Sequence, residues 1–414
     1  MRIAEFKRKR GLHASRSLLQ KTFAPLSGEQ AELRRRCDGH GDPTRGMSQI
    51  DILMTGDVIL DAPDPDHWLS GLRAVTDTAD ITIGHLEVPH THGGTESSDD
   101  VPAPAADPTN LGALQRARFA AVTLAGNHIA DRGSLGITDT VAELERLGIC
   151  HCGAGASLAE ARRPAILLRK GLRIALLSYN CVGPESGWAG HDSAGCAFVR
   201  VEPEDHGRIA PAAQLTRVDR ESLAGMRHDI ERARTDSDLL IVALHKGIVH
   251  RPAVLAPYER TVAHAAVEAG ADVVIGHHAH IVRGIEFYRG RPIYHGLGNG
   301  CVVTRALGPD ETHPKRAAWV RRRKQLFGFE PDPAYVLAPF HPEAIHAMVA
   351  RVRFDDGVLE AGFVPMHVEP PGRPVIPTPD QAMRIARYIA DITTRAGMPP
   401  LSLQQGDDMF RVIA

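Results

Sequence analysis

The sequence predicts an α/β fold, on three observations: short apolar runs alternate with helical spacings, run after run ends in a side chain able to hold a ligand, and no tandem repeat interrupts the order. The 414 residues, 43% hydrophobic and 24% charged, suffice for one large α/β domain or for such a domain with appendages.

Ile50–Met54 is an apolar run closing on Thr55-Gly56-Asp57, the pattern of a buried strand that delivers a carboxylate at its C-terminal end. Helical spacing over His67–Ala79 leads to a second strand, Asp80–Glu87, and a short helix over Asn110–Arg118 to a third, Phe119–Leu124, which stops at Gly126-Asn127-His128. Ser134–Leu147 reads as an amphipathic helix with Ser134 as N-cap and Gly148 as stop. Strands near Ala165–Leu168 and Arg173–Ser178 continue the sheet, and a loop rich in glycine and polar residues, 183–219, is placed to border a pocket. A helix over Arg220–Thr235 precedes a strand, Asp238–Leu244, that ends at His245; a helix over Pro257–Ala269 precedes Asp272–Ile275, which delivers Gly276-His277-His278-Ala279-His280. Arg283–Tyr288 and Pro292–Leu297 form a hairpin about Arg289-Gly290. Residues 304–342, rich in proline and arginine, break the rhythm and are expected as an insertion or lid. Residues 343–414 complete the same domain with a hairpin (Met348–Phe354, Val358–Met366, about Asp355-Asp356-Gly357), a proline-rich connector over 369–379 and a helix over Gln381–Arg395.

A formal net charge of -2 gives no global drive toward nucleic acid or an anionic membrane, and the run Arg321–Lys324 alone does not supply one, so no nucleic-acid partner is expected. Residues 1–46 are arginine-rich and aperiodic and are expected as a disordered basic extension ahead of a domain starting at Met47. Neither an export signal nor a membrane span is visible, which leads to the expectation of a cytoplasmic protein. Six cysteines without a repeated Cys-x-x-Cys pair argue against a thiolate zinc site or a disulfide framework, and Cys150-His151-Cys152 lacks the remaining ligands of a closed site.

Ligands gather at the carboxyl ends of strands in α/β folds, and here those ends carry Asp57, Glu87, Asn127, His128, His245, His278 and His280. Carboxylate oxygens, an amide oxygen and imidazole nitrogens are the donors that a hydrolytic divalent cation requires. Taken singly, a histidine at a strand end is more often a hydrogen-bonded core residue, Asp57 is ordinary turn chemistry, and Asn127 could open a helix. Five separate strand ends with such groups are hard to attribute to turns, so a metal site is expected. His278 and His280 lie two apart, and an extended segment there would turn both rings to one side. Asn127, His245 and His278 are candidates for one ion and His280 with Asp57 for another, with Glu87 or Asp57 as bridge; His128 is left as general acid or charge stabiliser. No Gly-x-Ser-x-Gly elbow or Walker-type loop competes.

The ordered series Gly56-Asp57, Leu86-Glu87, Gly126-Asn127-His128, Leu244-His245-x-Gly247, Gly276-x-His278-x-His280 and Leu297-Gly298-Asn299 resembles the CapA family of capsule and poly-gamma-glutamate synthesis proteins, which is related to the calcineurin-like metallophosphoesterases. The resemblance covers about residues 50–302 and implies a four-layer α/β/β/α sandwich over 47–303. It further implies that Asp57, Glu87, Asn127, His245, His278 and His280 are metal ligands, His128 the catalytic histidine and Asn299 a pocket residue. Position 59, where the broader phosphoesterases place a histidine, is Ile59, so one or two ions (manganese, zinc or iron) are expected. His85, Lys246, Ala279 and Arg283 depart from the family pattern, and His85, Lys246 and Arg283 are expected to bind substrate, the two cations through an anionic group, with an extra metal ligand as the alternative role of His85. The implied activity is hydrolysis of a phosphoester or an amide, with a small-molecule, peptidyl or glutamyl substrate. The alternative is a non-hydrolytic accessory role in polymer or peptide biosynthesis.

Overall fold

The computed structural model describes residues 49–97, 105–307 and 314–413; the extension expected at 1–46 lies outside them. Two sheets face each other. In the first, β1 (Ile50–Leu60), β2 (Ile81–Leu86), β3 (Phe119–Thr123) and β4 (Cys150–Cys152) run parallel in sequence order. In the second, the antiparallel pair β5 (Ala165–Arg169) and β6 (Leu172–Asn180) leads to parallel β7 (Leu239–Lys246) and β8 (Val273–His278), and a hairpin of β9 (Ile285–Tyr288) and β10 (Arg291–Tyr294) adds to β8 through β10.

The free edge of β1 is shared by two strands. β11 (Asn299–Val303) pairs in parallel with Asp57–Leu60, and β12 (His346–Asp355) pairs antiparallel with Ile50–Met54. β12 turns into β13 (Val358–Glu369) through Asp356-Gly357, both at positive φ (43° and 81°), the backbone that a tight hairpin turn demands. β14 (Arg373–Val375) and a terminal hairpin of β15 (Ser402–Gln405) and β16 (Phe410–Ile413), the latter not anticipated from sequence, extend that edge.

Alternation along the strands sets the layers. Ile50, Ile52 and Met54 of β1 meet Ile174 and Leu176 of β6 and Ile241 and Ala243 of β7 between the sheets. The opposite side chains of the second sheet (Ala175, Leu177, Leu240, Val242) pack on α4 (Arg220–Arg234) and α5 (Pro257–Glu268) through Met226, Ile230, Val262 and Ala266. Those of the first sheet (Leu53, Val58, Leu60) pack on α1 (Pro65–Thr76) and α3 (Gly133–Leu147) through Leu69, Leu72, Ile137 and Leu144, with the short α2 (Gly112–Arg116) beside them. The result is the four-layer α/β/β/α sandwich. α6 (Pro314–Phe327) is the only helix of the 304–342 segment among the described residues, and α7 (Pro379–Arg395) closes one end of the inter-sheet core with Ile385, Ile389 and Ile392.

Other details also differ from the expectation. α3 starts at Gly133 after Arg132, with no side-chain cap, so Ser134 is inside the helix; Gly148 is the left-handed stop expected. α7 starts at Pro379, because Thr378 and Gln381 form a reciprocal capping box one turn earlier than the apolar spacing begins. β1 does not end at Asp57 but continues to Leu60, because β11 supplies a partner for Val58–Leu60. The passage through Asp57 is irregular, with register shifts against both β2 and β11, and such bulges re-aim a side chain next to a functional site. Gly56 permits it: a Cβ there would run into the Gly298 carbonyl, and that carbonyl accepts the Asp57 N–H at 3.1 Å. Gly56→Ala is therefore expected to destabilise the fold by about 1–3 kcal/mol through overpacking against backbone, read as a lowered midpoint in denaturant unfolding; an unchanged midpoint would show that the bulge does not need the glycine.

Candidate metal centre

The strand ends deliver their side chains to one point between the sheets. Asp57, His85, Glu87, Asn127, His245 and His278 are all buried, and His280 nearly so. Two groups of donor atoms lie within 4.8 Å of one another: Asp57 with His85 and His245, and Asp57 with Glu87 and His280. Asp57 belongs to both, which is the placement of a bridge. His245 Nε2 sits 2.7 Å from Asn127 Oδ1 and 4.0 Å from Glu87 Oε1, and His280 Nε2 3.4 Å from the same Glu87 oxygen.

His278 and His280 are not in an extended segment. Their φ angles are 85° and 52°, so the chain curls at the end of β8 and the side chains converge by a different route from simple alternation. The curl turns the His278 N–H onto Asp57 Oδ2 at 3.2 Å, while His280 Nδ1 lies 3.0 Å from Asn299 Oδ1.

The donor set fits a divalent cation. Buried Glu87 has no well-formed hydrogen bond, its nearest donor being the His280 ring at 3.4 Å from Oε1, and both ring nitrogens of His278, Nδ1 of His245 and Nε2 of His85 are without one. Buried polar atoms are seldom left so, and a cation is the partner that satisfies acceptors of both kinds. Burial, reinforced by neighbouring imidazoles, pushes His85 and His245 well below the ordinary histidine value, and His278 down to about 3, so all three are neutral lone-pair donors at neutral pH. Burial, then the nearby Glu87 charge, raises Asp57 well above the usual carboxylate range. At His280 burial would lower the value, but the Glu87 and Asp57 charges outweigh it and hold the ring up at about 9. A cation in the cluster would relieve the first of these repulsions and replace the proton on His280.

His128 stands at the wall of the cavity above this floor, with Nδ1 2.7 Å from Asp131 Oδ2. The cavity is about 650 Å³, and Asn127, His128, His278 and His280 line its inner end.

The residues expected to bind substrate are placed differently. His85 is fully buried, its ring 4.7 Å from that of His245 and 4.6 Å from that of His277, with Nδ1 on Thr123 Oγ1 at 2.9 Å, so it stands among the ligand groups rather than in the cavity wall. Lys246 and Arg283 are fully buried beneath the centre against Glu259 of α5, at 2.9 and 2.7 Å, because alternation along β7 turns Lys246 away from His245. Glu259 would be raised by burial, yet the two cations hold it down at about 2. Lys246 also reaches the His295 carbonyl at 3.3 Å, and Arg283 donates to the carbonyls of Arg251 and Val254, which closes the cluster. Asn299 touches His280 and a smaller recess of about 110 Å³. Reading the sequence missed His277, whose Nε2 lies 3.2 Å from the Thr55 carbonyl, and Asp131, for which the spacing of three from His128 was an available signal.

A family model described as bacterial capsule synthesis protein PGA_cap matches residues 51–302. A probable polyglutamine synthesis accessory protein of Mycobacterium tuberculosis is 34% identical over 56% of this chain and 58% of its own length. The capsule biosynthesis protein CapA of Bacillus anthracis is 25% identical over 45% and 41% respectively. The chain thus spans less than two thirds of the length of these curated relatives. A calcineurin-like phosphoesterase of Bacillus subtilis aligns in structure over 84% of this chain and 96% of its own, at 10% identity and a TM-score of 0.33, and the assignment of layers rests on this chain's own packing.

Two outcomes test the centre. In elemental analysis after equilibration with manganese or zinc, His245→Ala and His278→Ala should lose bound metal, whereas His128→Ala should keep it; equal metal in all three would remove the strand-end histidines from the ligand set. Beneath the site, Glu259→Ala leaves Lys246 and Arg283 buried without their counter-charge and should cost about 3–5 kcal/mol in unfolding free energy, while a loss under about 1 kcal/mol would place water in the cluster.

Proposed function

The chain belongs to the bacterial capsule synthesis protein family PGA_cap, the CapA family, and on that premise we propose that it is a metal-dependent hydrolase acting on a phosphoester or an amide bond. The observation that carries the reading is the pairing of a buried, hydrogen-bond-poor donor cluster with His128 in the wall of a cavity, backed by Asp131. Asp57, Glu87, Asn127, His245, His278 and His280 would hold the ion or ions, with His85 as a further donor; manganese, zinc and iron all suit this mixture. When bound, such an ion supplies Lewis acidity and lowers the pKa of water toward neutrality.

The protein's own groups do the remainder. Asp131 accepts the Nδ1 proton of His128, which fixes the ring and leaves Nε2 as the atom that carries a proton to a leaving group. Asn127, adjacent in the chain, points its amide oxygen at His245 and so ties the loop that bears His128 to the second sheet. The inter-sheet burial excludes bulk water, which strengthens each of these interactions.

A second reading, a non-hydrolytic accessory role in biosynthesis of a glutamyl or related polymer, draws on the name of the Mycobacterium tuberculosis relative and on Ile59. This apolar side chain lines the cavity at the position where a ligand histidine is expected in the broader superfamily. No helix among the described residues is long and apolar enough to cross a membrane.

The metal-loaded protein should turn over at least one member of a panel of phosphomonoesters, phosphodiesters and gamma-glutamyl amides. His128→Ala should lower kcat by about 10²–10⁴ at unchanged metal content. A protein with stoichiometric metal and no turnover on the whole panel would favour the accessory reading.

A further inference from the structure

The cavity that ends on the candidate metal centre has walls of a consistent kind. α6 supplies Trp319, Arg322 and Leu326, spaced three and four apart and so on one helical face, followed by Phe327. Ile248, after β7, and Ile59 join them. Two of the chain's exposed large apolar side chains, Leu326 (45%) and Ile248 (37%), converge here rather than being scattered. The apolar wall begins at the ligands themselves: the Phe340 ring stacks on His280 with centroids 4.7 Å apart, and His250 meets the edges of Phe327 at 4.9 Å and Phe329 at 5.1 Å.

Cationic lining is sparse. Arg251 and Arg322 are exposed guanidinium groups in the wall without an ion-pair partner among the described residues, and Lys246 and Arg283 are turned away beneath the floor. A glutamyl oligomer carries a carboxylate on every residue, and most of these would be desolvated against Ile248, Trp319 and Phe340 without a counter-charge. A volume of about 650 Å³ with apolar walls and a few convergent polar groups at one end is the pattern of a small-molecule site.

We propose that the substrate of this centre is amphipathic, with the scissile phosphoryl or carbonyl head over Asn127, His128, His278 and His280 and an uncharged apolar chain or ring along the wall formed by α6. This rests on the hydrolytic reading above and adds the chemical class of what is bound. α6 is then a specificity element: it selects for the part of the substrate that does not react. The helix is tethered to the edge of the site, since Arg316 near its start and Arg132 of the His128 loop both lie 3.7 Å from Glu96.

Manganese-loaded protein should be titrated by calorimetry with two series of metal-binding heads, methyl-, butyl- and hexylphosphonate and the corresponding aceto-, pentano- and heptanohydroxamates. Affinity is expected to rise by about three- to fourfold per added methylene in both series. Trp319→Ala and Leu326→Ala should flatten that rise while leaving the affinity of the two shortest compounds unchanged, which also reports an intact centre. Short compounds that bind, with affinity that does not grow with chain length, would overturn the proposal and leave the hydrolytic reading standing. Tighter binding of a gamma-glutamyl oligomer than of the hexyl compound would overturn it as well. If neither short head binds, the hydrolytic reading fails and this inference with it.

Discussion

Two carboxylates and four histidines compete for charge in a space from which water is excluded, and the rest of the molecule is arranged around that competition. Asp57 and Glu87 repel each other across a distance small enough to bring both to His280, and burial by itself penalises each ionised group by several kcal/mol. A proton on His280 compensates part of this; a divalent ion in the cluster would compensate more and would give the atoms of Glu87 and His278 without a hydrogen bond a partner. The backbone is adapted to the same end. β1 bulges at Asp57 against the bare backbone of Gly56 and Gly298, and the chain leaves β8 through two histidines in left-handed conformations that each cost about 1–3 kcal/mol. Such conformations persist only where their surroundings hold them, and the Asp57 carboxylate and the Asn299 amide do so here.

A second buried charge cluster supports the first. Lys246 follows His245 directly and Arg283 follows His280 by three, and both are anchored to Glu259 on α5. The ends of β7 and β8, which carry three of the histidines, are thereby fastened to the outer helical layer. The cluster is closed and fully hydrogen-bonded on its carboxylate side, in contrast to the donor cluster above it, and this difference separates a structural ion network from a candidate ligand site.

Much of this was legible in the sequence because strands advertise their ends. Glu87, Asn127, His245, His278 and His280 stand at or just past the ends of apolar runs and Asp57 follows one at Gly56, and a donor side chain at such a position needs no partner to be recognised as a candidate ligand. Lys246 and Arg283 were misplaced for the opposite reason: their roles depend on Glu259, a helix residue whose position relative to the strand ends is a product of packing, and a cation next to a motif looks the same whether it faces the pocket or the layer behind it. His85 illustrates a different limit. Its neighbours His245 and His277 come from the other sheet, so its placement among the candidate ligands depends on how the two sheets stack. The wall formed by α6 had only composition to announce it, since Trp319, Leu326 and Phe327 sit among arginines in a segment without the amphipathic period of the core helices.

The shared edge of β1 has a consequence for how the protein is made. Register pairs Asp57 with Asn299 and Ile50 with Phe354, so the strand that carries Asp57 acquires its partners on that edge only after most of the chain exists. At synthesis rates of about 5–20 residues per second, on the order of tens of seconds separate the emergence of β1 from that of β12. During that interval an apolar strand with an open hydrogen-bonding edge is available to other chains, and contacts of this sequence separation are the slow ones to form. The donor cluster is therefore among the last parts to be assembled, and the nascent protein is exposed to misassociation at the strand that carries Asp57.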